Sequence, residues 1–390
     1  MSTSSRNPMK DQVAFAGAAT TGFSAHNTDR TPLSLAAEAC SKLLRECGLK
    51  ASDIDGICGP SSVSAGDLQN TLGIPELTWW SNPPIPFVNQ VIQAASAVHA
   101  GICDTVLVYH VPYRHAFFTA SALRDPFRRV MPAIAPGGNP DTMWGPVGYT
   151  AWASRYIHDY NVPKERFGLV AINDRSNAQD NPGAAMREPM TMDDYMSARM
   201  VRWPLCLLDM DVPVDGADAF IITTTERARD LPFSPVMINA AVLGMVDANV
   251  EDQNVSLEHH GHHVVAKAIK AKSDFWIDDI DVYFPYDGFT IITLNWLENI
   301  GFCGRGEAGD FLAANWDAEK NRILINGRIP VNPHGGALSE GGSQGSGHIR
   351  EAIHQLQGRA GVRQVANARR TLVTAGGFFY NAQGLALHRD

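Results

Sequence analysis

The sequence carries three potential proton-transfer groups in one glycine-rich stretch, residues 332–348 (NPHGGALSEGGSQGSGH). They are His334, Glu340 and His348. Glycine lets backbone amides come close to a ligand, and the helix predicted to follow directs its positive N-terminal end to the same place. The pattern predicts a site for a carbonyl or oxyanion, although a surface connection rich in turn residues is the alternative. The candidate substrate-binding residues are Asn332, Gly335, Gly336, Gly341, Gly342 and Ser343.

Tyr286 and Asp287 directly follow an apolar segment that is typical of a buried strand. The tyrosine could transfer a proton if its pKa is shifted, or its phenol could pack under the loop and bond to backbone. His348 stands at a predicted helix start, where the dipole favours the neutral imidazole. His334 is either a general acid or base or a group that fixes the loop. Glu340 could orient a histidine, and Asp287 could orient Tyr286.

A second histidine-rich segment, residues 259–263 (HHGHH), suggests metal binding at first sight. Adjacent histidines on a helix point in different directions, and no cysteine or carboxylate stands beside them at metal-ligand spacing. We therefore predict no metal site. We also expect no covalently bound cofactor.

Composition excludes several classes of function. The net charge is −9, and acidic and basic residues are well mixed, which argues against nucleic-acid or anionic-membrane binding. The six cysteines form no CxxC pair and stand in apolar segments, which favours buried free thiols in a reducing compartment. No apolar run reaches membrane-spanning length, and the start MSTSSRNPMKDQ lacks a signal-peptide core. We expect a cytoplasmic protein that does not act in a membrane.

The predicted elements repeat along the chain. Strand, helix, strand, helix and strand alternate up to about residue 111, which is typical of a buried parallel sheet with helical cover, and a similar series begins near residue 236. We predict two halves, residues 1–235 and 236–390, each built on a βαβαβ unit, with a covering insert at about 117–200 in the first half. The proline-rich segment 79–86 (WWSNPPIP) is predicted to be irregular, with two exposed tryptophans that mark an interface.

Taken together, these motifs resemble the thiolase superfamily, specifically its sterol-carrier and lipid-transfer-protein branch. The resemblance covers nearly the whole chain and rests on SDIDGICG, LLDMDVPVDGADAFIIT, YDGFT, ENIGFCGRGEAGDF, INGRIPVNPHGGALSEGG and HQLQGRAG. It implies an α/β, thiolase-like fold with duplicated βαβαβ units in a five-layer αβαβα arrangement, a homodimer, and a coenzyme A thioester as substrate.

The chain departs from thiolases at the positions that their catalysis uses. Val88 or a neighbour stands where the family's nucleophilic cysteine belongs, Thr374 and Ala375 stand at the second cysteine, and Gly342 stands at the family histidine. The pattern is closer to the thiolase-like side-chain aldolases of steroid degradation, which lack the cysteine and cleave a β-hydroxyacyl-CoA by a retro-aldol step. Tyr286 matches their YDxF motif. Their second tyrosine would fall at Gly342 and is absent.

The resemblance leads to three hypotheses of function. The first is a carbon–carbon lyase that acts on a β-hydroxyacyl or β-oxoacyl-CoA without a covalent intermediate, in a degradation pathway. The second is a thiolase-type acetyl-CoA acyltransferase with a displaced cysteine, and the third is a non-catalytic subunit that binds a partner or lipid. Relatives of the aldolase branch also imply a companion protein with an OB-fold and a zinc ribbon. Arg124, Arg128, Arg129 and Trp144 are candidates for contacts with the coenzyme, or belong to a solvated loop.

Overall fold

The computed structural model describes residues 4–26, 29–83, 87–115, 146–246, 257, 259–377 and 382–390. The helices are α1 (Pro32–Glu46), α2 (Ala65–Leu72), α3 (Phe87–His99), α4 (Pro146–Tyr160), α5 (Lys164–Ala178), α6 (Met192–Ser197), α7 (Thr225–Ala228), α8 (Gly261–Lys272), α9 (Thr290–Ile300), α10 (Ala308–Ala314) and α11 (Ser346–Gln357). The strands are β1 (Val13–Ser24), β2 (Gly56–Cys58), β3 (Trp79–Ser81), β4 (Thr105–His110), β5 (Met200–Arg202), β6 (Leu205–Cys206), β7 (Asp215–Thr224), β8 (Val236–Gly244), β9 (Val282–Pro285), β10 (Trp316–Asp317), β11 (Arg322–Ile325), β12 (Ile329–Pro330), β13 (Arg370–Ala375) and β14 (Ala382–His388).

The main sheet has the strand order β3-β2-β4-β7-β1-β8-β14-β13-β9. We call the two halves of this sheet its first and second sides. The first side has the order β3-β2-β4-β7-β1. On the second side β9-β13-β14-β8 follows the same plan, and a parallel bridge from Tyr283 to Val331 takes the place of the fifth strand. The sides meet where β1 and β8 pair through Ala14 with Met237 and Phe15 with Val236. Each side therefore has the same topology, as the sequence repeat predicts.

Three buried apolar clusters separate the layers. In the middle cluster, α3 and α11 pack between the two sides of the sheet, with Val91 and Ile353 against Phe15 and Phe284. A second cluster packs α1 and α2 on the outer face of the first side. A third packs α8 and α9 on the outer face of the second side. Helix, sheet, helix, sheet, helix is the resulting order, which confirms the predicted five-layer α/β arrangement.

Local sequence signals explain where several elements begin and end. Thr31 caps α1 by accepting a hydrogen bond from the Ser34 amide at 3.2 Å, and Gly48, with φ of +67°, follows its end. The prediction that segment 79–86 is irregular and exposes two tryptophans is wrong for its first part. Trp80 is exposed, but Trp79 is half-buried against the middle cluster. Residues Trp79–Ser81 pair in parallel with Gly56–Cys58, because the prolines begin only after this strand.

The covering insert is described only in part. Its helix α4 runs from Pro146 to Tyr160. The candidate coenzyme contacts Arg124, Arg128, Arg129 and Trp144 lie outside the described residues. In the described ranges, no helix combines the length and apolar character that crossing a membrane requires.

Candidate active site

Tyr286 and Asp287 lie at the carboxyl end of β9. The Tyr286 amide donates to the Thr374 carbonyl at 2.7 Å, which extends the pairing of β9 with β13. Asp287 is fully buried. Its two carboxylate oxygens accept hydrogen bonds from the amides of Ala337 at 2.8 Å and Leu338 at 2.9 Å. Asp287 thus ties the end of β9 to the glycine-rich loop.

His348 occupies the first turn of α11 and completes a dyad with Asp287. Its Nε2 lies 2.8 Å from Asp287 Oδ1. Burial works to raise the pKa of Asp287, but hydrogen bonds from His348 and the Ala337 amide hold it below its ordinary value. Because an ionised carboxylate only accepts, Nε2 must carry the proton. Nδ1 has no hydrogen-bond partner among the described residues, so its lone pair remains available to accept a proton.

The ring of Tyr286 lies beside this dyad, with its centroid 5.6 Å from that of His348. The residue is half-buried, whereas Asp287 and His348 are buried. Burial raises the pKa of Tyr286, and Asp211 raises it further, while Arg114 acts in the opposite direction. Tyr286 therefore rests as a neutral phenol, which suits it to donating a proton rather than to removing one.

His334 is buried behind His348, and their ring centroids are 4.7 Å apart. Neither ring nitrogen of His334 has a hydrogen-bond partner among the described residues. Glu340 Oε2 lies 3.9 Å from His334 Nε2. Burial lowers the pKa of His334 well below its ordinary value, with the nearby His348 and Arg350 acting in the same direction. His334 is therefore neutral.

Glu340 belongs to a buried ionic network that anchors α11. Arg350 pairs with Glu340 and with Asp218 of β7, at 2.6 Å. Ser346 Oγ donates to Asp218 at 2.6 Å, and Asn181 Nδ2 donates to Glu340 at 2.6 Å. Burial raises the pKa of Glu340 to about 7, against the lowering effect of Arg350. The network fixes the start of α11 and hence His348.

The glycine-rich loop needs glycine at specific positions. Gly335 and Gly336 have φ of +104° and +58°, in the region that side chains rarely adopt. A Cβ on Gly336 would also lie 2.2 Å from Asp287 Oδ2. Glycine here lets the following turn, Gly336–Glu340, deliver its amides to Asp287.

Two of the predicted substrate-binding residues make side-chain hydrogen bonds within the protein. Asn332 Nδ2 donates to the Pro285 carbonyl at 2.9 Å, and Ser343 Oγ accepts from the Gly347 amide at 3.0 Å. Gly341 adopts φ of +149° above Val214. These contacts shape the loop, and substrate binding by Asn332, Gly335, Gly336, Gly341, Gly342 and Ser343 stays a prediction.

Helix α5 supports the loop from below, a role that the sequence did not reveal. Asn177 Nδ2 donates to the Val331 and Asn332 carbonyls at 2.9 and 3.1 Å, and Arg175 Nε donates to Ser339 Oγ at 3.0 Å. Asp174 is buried next to Asp287. Burial and the charge on Asp287 raise the pKa of Asp174 well above its ordinary value. A run of buried polar residues in one helix (Asn173–Asn177) is the signal that could have identified this support.

Arg114 and Asp211 also reach the site from distant parts of the chain. The guanidinium donates to both oxygens of Asp211, at 2.5 and 3.1 Å. A Cβ on Gly342 would lie 2.3 Å from Arg114 Nη1 and 2.6 Å from Asp211 Oδ2. This ion pair therefore fills the space that a larger residue at position 342 would occupy.

The thiols offer no activated nucleophile. Five of the six cysteines are buried, and Cys303 is half-buried. Cys58 lies against α3, where its Sγ is 3.6 Å from the Gln90 carbonyl. Burial raises the pKa of Cys58 to about 12, so it remains a thiol at neutral pH. At the thiolase position, Val88 donates its amide to Gln383 Oε1 at 2.6 Å.

The HHGHH segment performs a structural task. His260 accepts the His262 amide at 3.2 Å as it caps α8, and the His262 ring stacks on Trp296 with centroids 3.6 Å apart. Burial lowers the pKa of His260 to about 4. Within the described ranges, no group of three His, Cys, Asp or Glu residues could hold a metal ion.

The five-layer architecture and the site at the meeting of β9 and α11 define a thiolase-like α/β protein. Residues 247–389 match the family of thiolase C-terminal domain-like sequences. The chain is 34% identical to a steroid side-chain-cleaving aldolase of Thermomonospora curvata, over 93% of this chain and 95% of that one. It is 33% identical to a 17-hydroxy-3-oxo-4-pregnene-20-carboxyl-CoA lyase of Mycobacterium tuberculosis, over 94% of this chain and 97% of the relative.

A solved structure, named the Ltp2-ChsH2(DUF35) aldolase, superposes with a TM-score of 0.85 at 32% identity, covering 98% of this chain and 99% of that chain. The chain belongs to the thiolase superfamily, in the group that contains the steroid side-chain-cleaving aldolases. It is a thiolase-like enzyme that cleaves or forms carbon–carbon bonds. The predicted family, fold class and enzyme class are confirmed.

Proposed function

We propose that the protein is a retro-aldol lyase that cleaves a β-hydroxyacyl-CoA without a covalent intermediate. The observation that carries this proposal is the Asp287–His348 dyad beside the phenol of Tyr286, in a site where no activated thiol stands among the described residues. The relatives named as an aldolase and a CoA lyase support the same reaction and an acyl-CoA substrate.

In this mechanism His348 is the general base. Asp287 holds the Nε2 proton, and Nδ1 removes the proton of the β-hydroxyl group. The hydroxyl oxygen becomes a carbonyl as the bond between Cα and Cβ breaks. The electron pair of that bond passes to the thioester, which becomes an enolate. Tyr286 then donates its phenolic proton to Cα, and a ketone or aldehyde and a shortened acyl-CoA are released.

Three predicted residues play supporting roles in this proposal. His334 is neutral and buried behind the dyad, so we assign it to fixing the orientation of His348. Glu340 anchors α11 through Arg350. Asp287 orients the base, His348, where the sequence suggested that it orients Tyr286.

The acyl chain is proposed from the relatives. One relative is named for the cleavage of steroid side chains, and the other for a 17-hydroxy-3-oxo-4-pregnene-20-carboxyl-CoA. We therefore propose a bulky polycyclic acyl group bearing a β-hydroxyl. An acyltransferase with a displaced cysteine remains the second candidate, with Cys58 as its thiol, because Cys58 lies against α3.

We also propose a homodimer formed at the free edge of β3. This strand ends the main sheet, and its Trp80 side chain is 63% exposed. An exposed strand edge favours pairing with a second copy. Trp80→Lys should convert the dimer to a monomer in light scattering, and a wild-type monomer at micromolar concentration would contradict the proposal.

Trp80 is one of the two tryptophans that predicted an interface in the sequence. Because we assign it to the homodimer, a companion protein needs another surface. Five large apolar side chains around the β5–β6 hairpin are 40–65% exposed: Met196, Met200, Val201, Trp203 and Leu207. In the related solved structure, the Ltp2 aldolase is named together with a DUF35 protein. We propose that a companion with an OB-fold and a zinc ribbon docks on this hairpin.

The reaction is tested by Tyr286→Phe, which removes only the hydroxyl group. The rate of cleavage of a synthetic β-hydroxyacyl-CoA, followed by mass spectrometry, should fall roughly 10²-fold. Tyr283→Phe is the matched control, since it removes a buried phenol that bonds to Thr374 at 2.7 Å. The control should cost about 1 kcal/mol of stability and leave the rate nearly intact. Full activity of Tyr286→Phe would refute the role of Tyr286, and turnover only of a β-oxoacyl-CoA with free coenzyme A would favour the acyltransferase.

A further inference from the structure

The Arg114–Asp211 pair reaches the active site although neither residue was predicted to belong to it. Arg114 follows β4, and Asp211 precedes β7, so both come from the first half of the chain. Their side chains are 28% and 12% exposed. A bidentate pair at this depth is geometrically fixed, because two parallel hydrogen bonds hold the guanidinium plane.

Backbone contacts place this pair next to Tyr286. The Asp211 amide donates to the Gly288 carbonyl at 3.0 Å. Gly288 lies directly under the phenol, since a Cβ on it would be 2.8 Å from Tyr286 Oη. On the other side, Arg114 Nη1 donates to the Gly342 carbonyl at 3.3 Å. The segment that carries Asp211 therefore runs between the Tyr286 turn and the glycine-rich loop.

We propose that Arg114 is a positioning residue whose guanidinium, held by Asp211, stabilises the phenolate that Tyr286 becomes when it gives up its proton. The inference rests on the proposed role of Tyr286. The phenolic O–H bond breaks, the proton goes to Cα of the enolate, and the remaining negative charge lies beside a fixed cation. Asp211 moderates this effect, because it neutralises part of the charge of Arg114.

Among the described residues, four charged or titratable groups face Tyr286 from the packed elements. Asp211 and Asp287 raise the pKa of the phenol, and Arg114 lowers it. The fourth, His348, contacts the ring. The two members of the pair thus act on Tyr286 with opposite sign, which gives the proposal a specific signature.

The test is the pH dependence of kcat for the β-hydroxyacyl-CoA in three full-length variants. Arg114→Gln should lower kcat roughly tenfold or more with KM changed less than about twofold, and should move the alkaline limb to higher pH. Asp211→Asn should move the alkaline limb to lower pH. Arg114→Lys should restore part of kcat, because it returns the charge without the bidentate geometry.

Arg359→Gln is the matched control, because Arg359 forms a comparable half-buried ion pair outside the site. Its guanidinium lies 2.5 Å from the Glu46 carboxylate. It should leave the pH profile unchanged.

In a Tyr286→Phe background, Arg114→Gln should have no further effect on kcat, as expected for two groups acting on one proton. Unshifted profiles, shifts in the same direction for Arg114→Gln and Asp211→Asn, or additive losses would overturn the inference. If Tyr286→Phe is fully active, the proposed function fails first; if only the Arg114 variants behave like wild type, this inference alone fails.

Discussion

The two sides of the sheet share a topology but differ at the strand ends that face α3 and α11. After β9 the chain places Tyr286 and Asp287, and α11 begins with polar groups that include His348. After β2 the chain continues with Gly59, where a Cβ would lie 2.0 Å from the Tyr109 ring. Tyr109 is buried, and its hydroxyl donates to the Val63 carbonyl at 2.6 Å. On the first side, the packed Tyr109 ring thus fills the space at the strand end. On the second side, the equivalent strand end carries the proposed catalytic groups.

The comparison shows that the two sides of the sheet have different roles in the proposed active site. The second side supplies the proposed base and acid, while the first side supplies groups that act on them from outside, Asp218 and the Arg114–Asp211 pair. Duplicated architecture therefore need not mean duplicated sites, because a few side chains at equivalent strand ends decide which copy is reactive.

The largest effect should come from a substitution at Asp287, on the second side, which carries the proposed base and acid. Asp287→Asn removes the charge that fixes the His348 tautomer, and the rate of cleavage should fall roughly 10³-fold to 10⁴-fold, as expected for a dyad that loses its orienting carboxylate. Asp67→Asn, at an exposed position in α2 on the first side, is the control and should leave the rate unchanged. A loss below tenfold for Asp287→Asn would show that His348 is not oriented by this residue.

A second effect should appear in stability as a function of pH. The pKa of Glu340 is raised from 4.5 to about 7, so the folded state binds its proton more tightly than the unfolded state. The wild type should therefore lose stability as pH rises from about 4.5 to 7, by on the order of 3 kcal/mol from this group. Glu340→Gln should remove that slope. Urea unfolding at several pH values measures it, and a difference between variant and wild type that stays constant with pH would contradict this prediction.

A smaller change, in the free energy of unfolding, should follow from a substitution on the first side, at Gln90 of α3. This residue is fully buried, and its side-chain atoms have no hydrogen-bond partner among the described residues. Gln90→Leu should raise the free energy of unfolding by about 1 kcal/mol, because an unsatisfied buried amide is replaced by an apolar group of similar size. Turnover should stay unchanged. A strong loss of activity in this variant would instead place Gln90 in a binding site.

The smallest effect concerns the thiols. Burial raises the pKa of Cys47, Cys58 and Cys206 to between about 11 and 12. Iodoacetamide at neutral pH should therefore leave turnover unchanged. Site-specific inactivation that substrate prevents would support the acyltransferase, and mapping the alkylated residue to Cys58 would identify its nucleophile.

The sequence predicted the fold well, because its signals are local and ordered. The alternation of strands and helices and the position of His348 at a helix start both depend on neighbours in the chain. The residues that were missed come from far away. Arg114 and Asp211 meet the glycine-rich loop only through tertiary packing, and the motif that contains Asp211 does not mark it as a site residue. Asp174 stands in the polar run Asn173–Asn177, whose burial only the fold reveals. The strand at Trp79–Ser81 was missed because nearby prolines outweighed its short apolar pattern.

The Arg350–Asp218 ion pair has a consequence for the order of events in folding. It joins residues 132 positions apart, and the same arginine holds the loop that carries Glu340. Contacts at such separation form late, since closing a long loop first costs the chain conformational entropy. We therefore expect His348 to take its place only after both halves are in position. During refolding, secondary structure should return first and catalytic activity last, so that activity reports the completed assembly of the chain.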